Sequence, residues 1–242
     1  LGLDPHRETG KLRNGIGIQL QSTSLYPRLN VREQLLMFGR LYQRSRDVEE
    51  IIDLVGLRER VSGLAKDLSG GQQQRLSVGL ALTNDPELVF LDEPTTGMDP
   101  QARRHLWDVI KGMQEQGKTV MMTTHYMEEA EYLCDRVAIV DHGKIIALDR
   151  PQRLVSENFA ESTITFEPEG EPDLAAMQAL PAVTNVIVDN GTVELFSADI
   201  PTTIGALLEH AAQNQVRIED LHVRRATLED VFLKLTGRRI RD

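Results

Sequence analysis

Two acidic residues, Asp92 and Glu93, close the apolar run Leu88, Val89, Phe90, Leu91 and stand before Pro94. Alone, two acids before a proline read as a charged turn that ends a strand. Twenty residues upstream, the segment Leu68, Ser69, Gly70, Gly71, Gln72 offers a different chemistry. Two glycines let backbone N–H groups come close to a ligand, and Ser69 can cap a helix and donate a hydroxyl. The helix that would begin there favours an anion such as a triphosphate at its amino end. Together the two segments compose a signature for nucleotide hydrolysis. Three further groups could join it. His125 follows an apolar strand that ends in Thr123 and Thr124; a neutral imidazole there can donate or accept, and its place after the strand keeps it out of the core. Asp99 precedes Pro100 in the turn Thr95, Thr96, Gly97, Met98. Gln21 leaves an earlier strand, with Gln19 as its rival.

These groups need elements to hold them. A short strand and its exit are expected over 15–21, then a loop carrying Tyr26 and Pro27. Helical spacing runs over 31–42 through Leu35, Leu36, Phe38 and Leu41. A second helix covers 47–55 and ends at Gly56. A third covers 72–82, with Leu76 and Leu80 on one face. The run 88–91 has the continuous apolar character of an interior parallel strand covered on both faces. A helix follows over 101–114 with Leu106, Val109, Ile110 and Met113 inward, then a strand over 119–123 and a short helix over 127–133. Residues 136–140 and 144–148 form a hairpin about Asp141, His142 and Gly143. Strands alternating with helices imply a layered α/β domain with a mainly parallel sheet. Ligands gather outside the carboxyl ends of such strands, where Asp92, Glu93 and His125 all stand.

Composition changes after about residue 159. A strand over 161–171 runs into an acidic turn, and helix (173–180), strand (183–188), a turn at Asp189, Asn190 and Gly191, strand (192–196), helix (202–213), strand (216–221) and helix (227–235) follow. The order β-α-β-β-α-β suggests a small ferredoxin-like α+β appendage. Its carboxylates are spread over turns and helix flanks and mark a solvated surface.

The 242 residues are 40% hydrophobic, enough for a real core. A formal net charge of -10 argues against nonspecific binding to nucleic-acid phosphates. The single Cys134 rules out a disulfide within the chain and fits a reducing compartment. No apolar run approaches the roughly 18 residues of a spanning helix. The start, Leu1 to Pro5, has neither an initiator Met nor the look of a signal peptide, which hints at a chain cut within a domain.

On these motifs, residues 1–155 resemble the ATP-binding subunit of ABC transporters. The resemblance implies a P-loop NTPase-like parallel sheet with a helical subdomain over 31–82, and an accessory domain over 160–242. It implies ATP and Mg²⁺ as ligands. Asp92 corresponds to the Walker B aspartate that holds Mg²⁺ through its water shell, and Glu93 to the carboxylate that orients or deprotonates the attacking water. His125 corresponds to the switch histidine at the γ-phosphate, and Gln21 to the Q-loop glutamine, a Mg²⁺ or water ligand. Gln21 is preferred to Gln19 because the residues after it, Ser22 to Pro27, fit the spacing of the family's loop. Ser69, Gly70, Gly71 and Gln72 would face the nucleotide on the opposite subunit of a head-to-tail homodimer. Asp99 would organise that interface. Leu25, Tyr26 and Leu29 would dock a membrane subunit.

One part of the family's machinery is missing from these residues. Only Gly10 and Lys11 bear any likeness to the Walker A loop, and Leu12 follows them. They supply neither the glycine nest for phosphates nor the hydroxyl for Mg²⁺. The expected reading is therefore a domain lacking its N-terminal part, poor by itself at binding and hydrolysing ATP. The segment 16–21, the turn at 96–99 and the ending from Thr227 to Gly237 resemble the ABC-2 or drug-resistance exporter branch, including daunorubicin-type ATPases. That branch implies a cytoplasmic subunit on the inner face of the cell membrane, driving a separate ABC-2-type permease. The alternatives are a soluble ABC ATPase outside transport, or a noncatalytic regulatory or scaffold fragment.

Overall fold

A computed structural model describes residues 1–21, 24–159, 161–170, 172–189, 191–214 and 216–237. Ser22 and Thr23 of the expected glutamine loop, Glu171 of the acidic turn and Asn190 of the hairpin turn lie outside them. The chain divides into two compact units, Leu1–Leu133 and Cys134–Asp242.

The first unit contains α1 (Thr9–Gly15), β1 (Ile16–Gln19), α2 (Val31–Gly39), α3 (Val48–Leu54), α4 (Gly70–Ala81), β2 (Leu88–Asp92), α5 (Pro100–Glu115), β3 (Thr119–Thr123) and α6 (Met127–Leu133). Its three strands are parallel in the order β1-β2-β3, in the register Ile18, Phe90, Met121 and, one step on, Gln19, Leu91, Met122. The central place of β2 agrees with its apolar sequence, but the expectation of cover on both faces fails. Val89 and Leu91 are buried while Leu88 and Phe90 are only half-buried, and Ile18 and Met121, flanking Phe90, are exposed. Side chains alternate across a pleated strand, so only the face shared by Gly17, Val89 and Leu91 is fully covered.

Local signals explain most helix boundaries. Asn30 and Glu33 exchange side-chain bonds to each other's backbone N–H and start α2. The helix stops at Gly39, before the expected residue 42, which leaves Leu41 beyond its end and exposed. Asp47 caps α3, and Gly56 beyond it turns at φ +62°. Helix α4 begins two residues before the expected 72, because Ser69 accepts from the Gln72 N–H and draws both glycines into the first turn. Side chains of α2, α3 and α4 close on one cluster, with Val31, Leu35, Ile51, Ile52, Leu76 and Leu80 among its buried members.

Between α4 and β2 the chain is tied down by polar contacts. The buried Asn84 side-chain amide donates to the carbonyls of Arg13, Asn14 and Ile16. Asp85, in a left-handed turn at φ +49°, accepts from Lys118 at 2.6 Å, and that bond holds its carboxyl below its usual range.

In the second unit, β4 (Val137–Asp141) and β5 (Lys144–Asp149) form the expected hairpin, turning through His142 and Gly143 with positive φ. Then come α7 (Pro151–Asn158), β6 (Ser162–Pro168), α8 (Leu174–Gln178), β7 (Val183–Asp189), β8 (Thr192–Ser197), α9 (Ile200–Asn214), β9 (Ile218–Arg224) and α10 (Leu228–Thr236). The antiparallel sheet runs β7-β8-β6-β9, the strand order of a ferredoxin-like domain. Ile164, Phe166, Met177, Val193, Leu195 and Leu207 form its core. Helices α1 and α7 were not expected; both are short, α1 buries none of its residues and α7 only Pro151 and Leu154, so neither carries an apolar period.

Candidate active site

The parallel register sets the site. Asp92, the last residue of β2, lies directly opposite Thr123, the last of β3. The Thr123 hydroxyl donates to Asp92 Oδ1. It also accepts from the Glu93 N–H at 3.1 Å, and that same N–H reaches the Thr123 carbonyl at 3.1 Å. One threonine thus fixes both acidic residues. Glu93 itself takes a left-handed backbone, φ +46°, which a residue with a β-carbon adopts only when its surroundings hold it there.

Three side chains converge on the Glu93 carboxylate. Gln21 Nε2 donates to Oε2 at 3.0 Å, and Thr96 Oγ1 donates to the same oxygen at 3.1 Å. His125 Nδ1 lies 3.5 Å from Oε1. Both Glu93 and His125 are a little over a quarter exposed, so the pair is sheltered yet open to a small reactant. A carboxylate held on one oxygen by two donors, with an imidazole beside the other, is suited to orienting a water and taking its proton.

The two glutamines divide clearly. Gln19 is buried, and its amide donates to the carbonyls of Leu20 and Asp92. Gln21 is exposed and reaches Glu93. Among the residues expected for membrane docking, only Tyr26 is exposed. Leu25 packs against the helical cluster, and Leu29, whose carbonyl accepts from the Ala65 N–H, is half-buried.

Ser69 to Gln72 make no bond to the carboxylate cluster. Ser69 Oγ accepts from the Gln72 N–H at 3.3 Å, and Gln72 Oε1 accepts from the Ser69 N–H at 2.9 Å. A β-carbon on Gly71 would lie 3.6 Å from both Met98 and Ala102, so the start of α4 packs beside the start of α5. A β-carbon on Gly70 would meet nothing. Asp99 caps α5 by accepting from the Gln101 and Ala102 N–H groups at 3.0 and 2.9 Å. Burial pushes the Arg75 guanidinium on α4 down, and the charge of Asp99 opposes the shift.

Sequence reasoning gave no role to the side chains of Thr123 and Thr96. The first needs the strand register, and the second needs the turn geometry, so no local pattern marks them. The described residues contain no cluster of three or more His, Cys, Asp or Glu able to hold a metal. The oxygen donors Asp92 and Gln21 fit a water-clothed Mg²⁺ arriving with a phosphate ligand, since that ion keeps several waters and one or two carboxylates. They do not form a cage for a resident ion. No described helix is long and apolar enough to cross a membrane.

Comparison with known proteins gives independent information. Residues 2–96 match the family model described as ABC transporter, and residues 155–236 match that of the ATP-binding protein DrrA1-3-like C-terminal domain. The linearmycin resistance ATP-binding protein LnrL of Bacillus subtilis (strain 168) is 36% identical over 245 residues, covering 98% of this chain and 79% of the relative. A Nod factor export ATP-binding protein I of Rhizobium meliloti is 40% identical over 235 residues, covering 95% and 68%. Among solved structures, the ATP-binding cassette MJ0796, in a dimeric post-hydrolysis state bound to ADP and Pi, aligns with a TM-score of 0.54 at 26% identity, over 62% of this chain and 68% of that one. An ATP-binding subunit of an ABC transporter aligns at TM-score 0.58 and 23% identity, over 65% and 68%, and supports the fold alone.

Proposed function

Since the chain belongs to the ATP-binding subunits of ABC transporters, whose members are ATPases, we propose that it serves an export system by head-to-tail, nucleotide-dependent dimerisation beneath a separate ABC-2-type permease. The observation that carries this reading is the convergence of Gln21, Thr96 and His125 on Glu93 beside Asp92. Glu93 takes the proton of an attacking water, and Gln21 and Thr96 hold its carboxylate in place. His125 senses the terminal phosphate, a role supported by its place 3.5 Å from the Glu93 carboxylate. Asp92 would hold a hydrated Mg²⁺ brought by the nucleotide, an ion that would supply charge neutralisation. Ser69 to Gln72 serve the nucleotide of the partner subunit, with Asp99 at the same interface. The export direction is supported by the resistance and export names of the relatives. Tyr26, on the exposed loop after Gln21, is the contact proposed for the permease, on the cytoplasmic face of the membrane. The accessory domain is taken as 160–242, a reading supported by the second family match over residues 155–236.

Because these residues hold no glycine nest and no P-loop lysine, the triphosphate loses most of its direct charge compensation. The isolated chain is therefore expected to bind Mg·ATP poorly by calorimetry, yet to be captured by a P-loop-bearing cassette of the same family loaded with ATP. Capture should disappear in Ser69→Arg. Micromolar ATP binding by the chain alone would remove the first expectation. Failure of the wild-type chain to associate under any nucleotide condition would remove the sandwich reading.

A further inference from the structure

Helix α5 carries a cation that the reaction as described does not use. Arg103 lies one turn after the Asp99 cap and places its guanidinium carbon 4.1 Å from the centre of the Tyr126 ring. Its Nε is buried and has no hydrogen-bond partner, and the aromatic face lies beside it. Desolvation strengthens such a cation–π contact. The Tyr126 ring in turn lies 4.2 Å from the His125 imidazole, tilted by 41°. Tyr126 is held on its backbone as well: its N–H donates to Thr124 Oγ1 at 3.0 Å, and its carbonyl accepts from Ala130 at 3.2 Å. The order of contacts is therefore guanidinium, phenol ring, imidazole and the Glu93 carboxylate.

The same pattern repeats along the helix. Trp107, four residues after Arg103, donates to Glu129 at 2.9 Å and packs on Tyr132 at 5.1 Å. Lys111, four residues further, sits 3.5 Å from the centre of the Tyr132 ring. Positions 103, 107 and 111 share one face of α5, and 126, 129 and 132 are spaced to meet them. The segment bearing His125 is thus seated on α5 like a tooth on a rack, and Arg103 is the contact nearest the histidine.

We propose that Arg103 is a positioning residue. It clamps Tyr126 so that the imidazole of His125 is held against Glu93, and it links that imidazole to the end of α5 capped by Asp99 and packed beside Gly71. A displacement of that helix end by a partner is thereby passed to His125. The proposal rests on the reading of Glu93 and His125 as the hydrolytic pair, but its test does not require hydrolysis.

Aromatic proton–carbon NMR of the whole chain reads the contact directly, because the Tyr126 ring shifts the His125 ring signals; loss of a signal in His125→Gln assigns them. Arg103→Ala should move the His125 signals most of the way to those of Tyr126→Ala. Arg103→Lys, which keeps a cation over the ring, should restore them, and Lys111→Ala should leave them in place. Should Arg103→Ala fail to fold, Arg103→Gln compared with Arg103→Lys makes the same test. His125 signals unchanged in a folded Arg103→Ala or Arg103→Gln protein, or moved equally by Arg103→Lys and by Lys111→Ala, would overturn the clamp. A confirmed clamp in a chain that no ATP-loaded cassette captures would overturn the functional reading instead.

Discussion

Thr123 does more for the site than its small size suggests. It donates to Asp92 and accepts from the Glu93 N–H, so both acids depend on one hydroxyl. Thr123→Val keeps the shape and removes the hydroxyl. It should cost about 1 kcal/mol in urea unfolding, the usual net value of such bonds, whereas Thr123→Ser should stay close to wild type. That Asp92, Glu93 and His125 stand just past apolar runs was legible in sequence, whereas Gln21 was preferred to Gln19 on the loop spacing of the resembled family. Their meeting on Glu93 was not legible. That depends on the parallel register of β2 against β3 and on a left-handed turn at Glu93, and neither leaves a trace in local spacing.

At the scale of elements, the close approach of β1 to α4 governs the first unit. A β-carbon on Gly17 would fall 2.0 Å from the Ala81 carbonyl oxygen and 3.0 Å from the Pro86 ring. Backbone cannot yield there without moving a whole strand. Gly17→Ala is therefore expected to destabilise the unit by about 3 kcal/mol or more, the upper range for overpacking, seen as a lowered urea midpoint by circular dichroism. Elements with strong periodicity or caps were readable: β3 and α6 fall where the pattern put them, and α3 begins after its Asp47 cap. Helix α4 was misjudged by two residues because glycines argue against helix, and the Ser69 cap outweighs them. The exposed face bearing Ile18 and Met121 was misjudged for another reason. An apolar run alone does not say how many faces of a strand are covered.

For the whole molecule, two compact units, each with buried clusters of its own, imply two separable transitions. The single tryptophan, Trp107, is buried in the first unit and reports on it alone. Phe166→Ala empties the centre of the second core and should cost about 3–5 kcal/mol. Circular dichroism should then register early melting while the tryptophan fluorescence midpoint holds; equal movement of both would mean one cooperative body. The second unit's ferredoxin-like order was readable from its alternation of strands and helices. Gly70 is the first residue of α4, directly after the Ser69 cap. A β-carbon there would meet nothing within 4 Å, and glycine loses more backbone freedom on folding than alanine does. The fold itself gains nothing from leaving that position bare. The first turn of α4 is left bare at Gly70, with open space above its backbone.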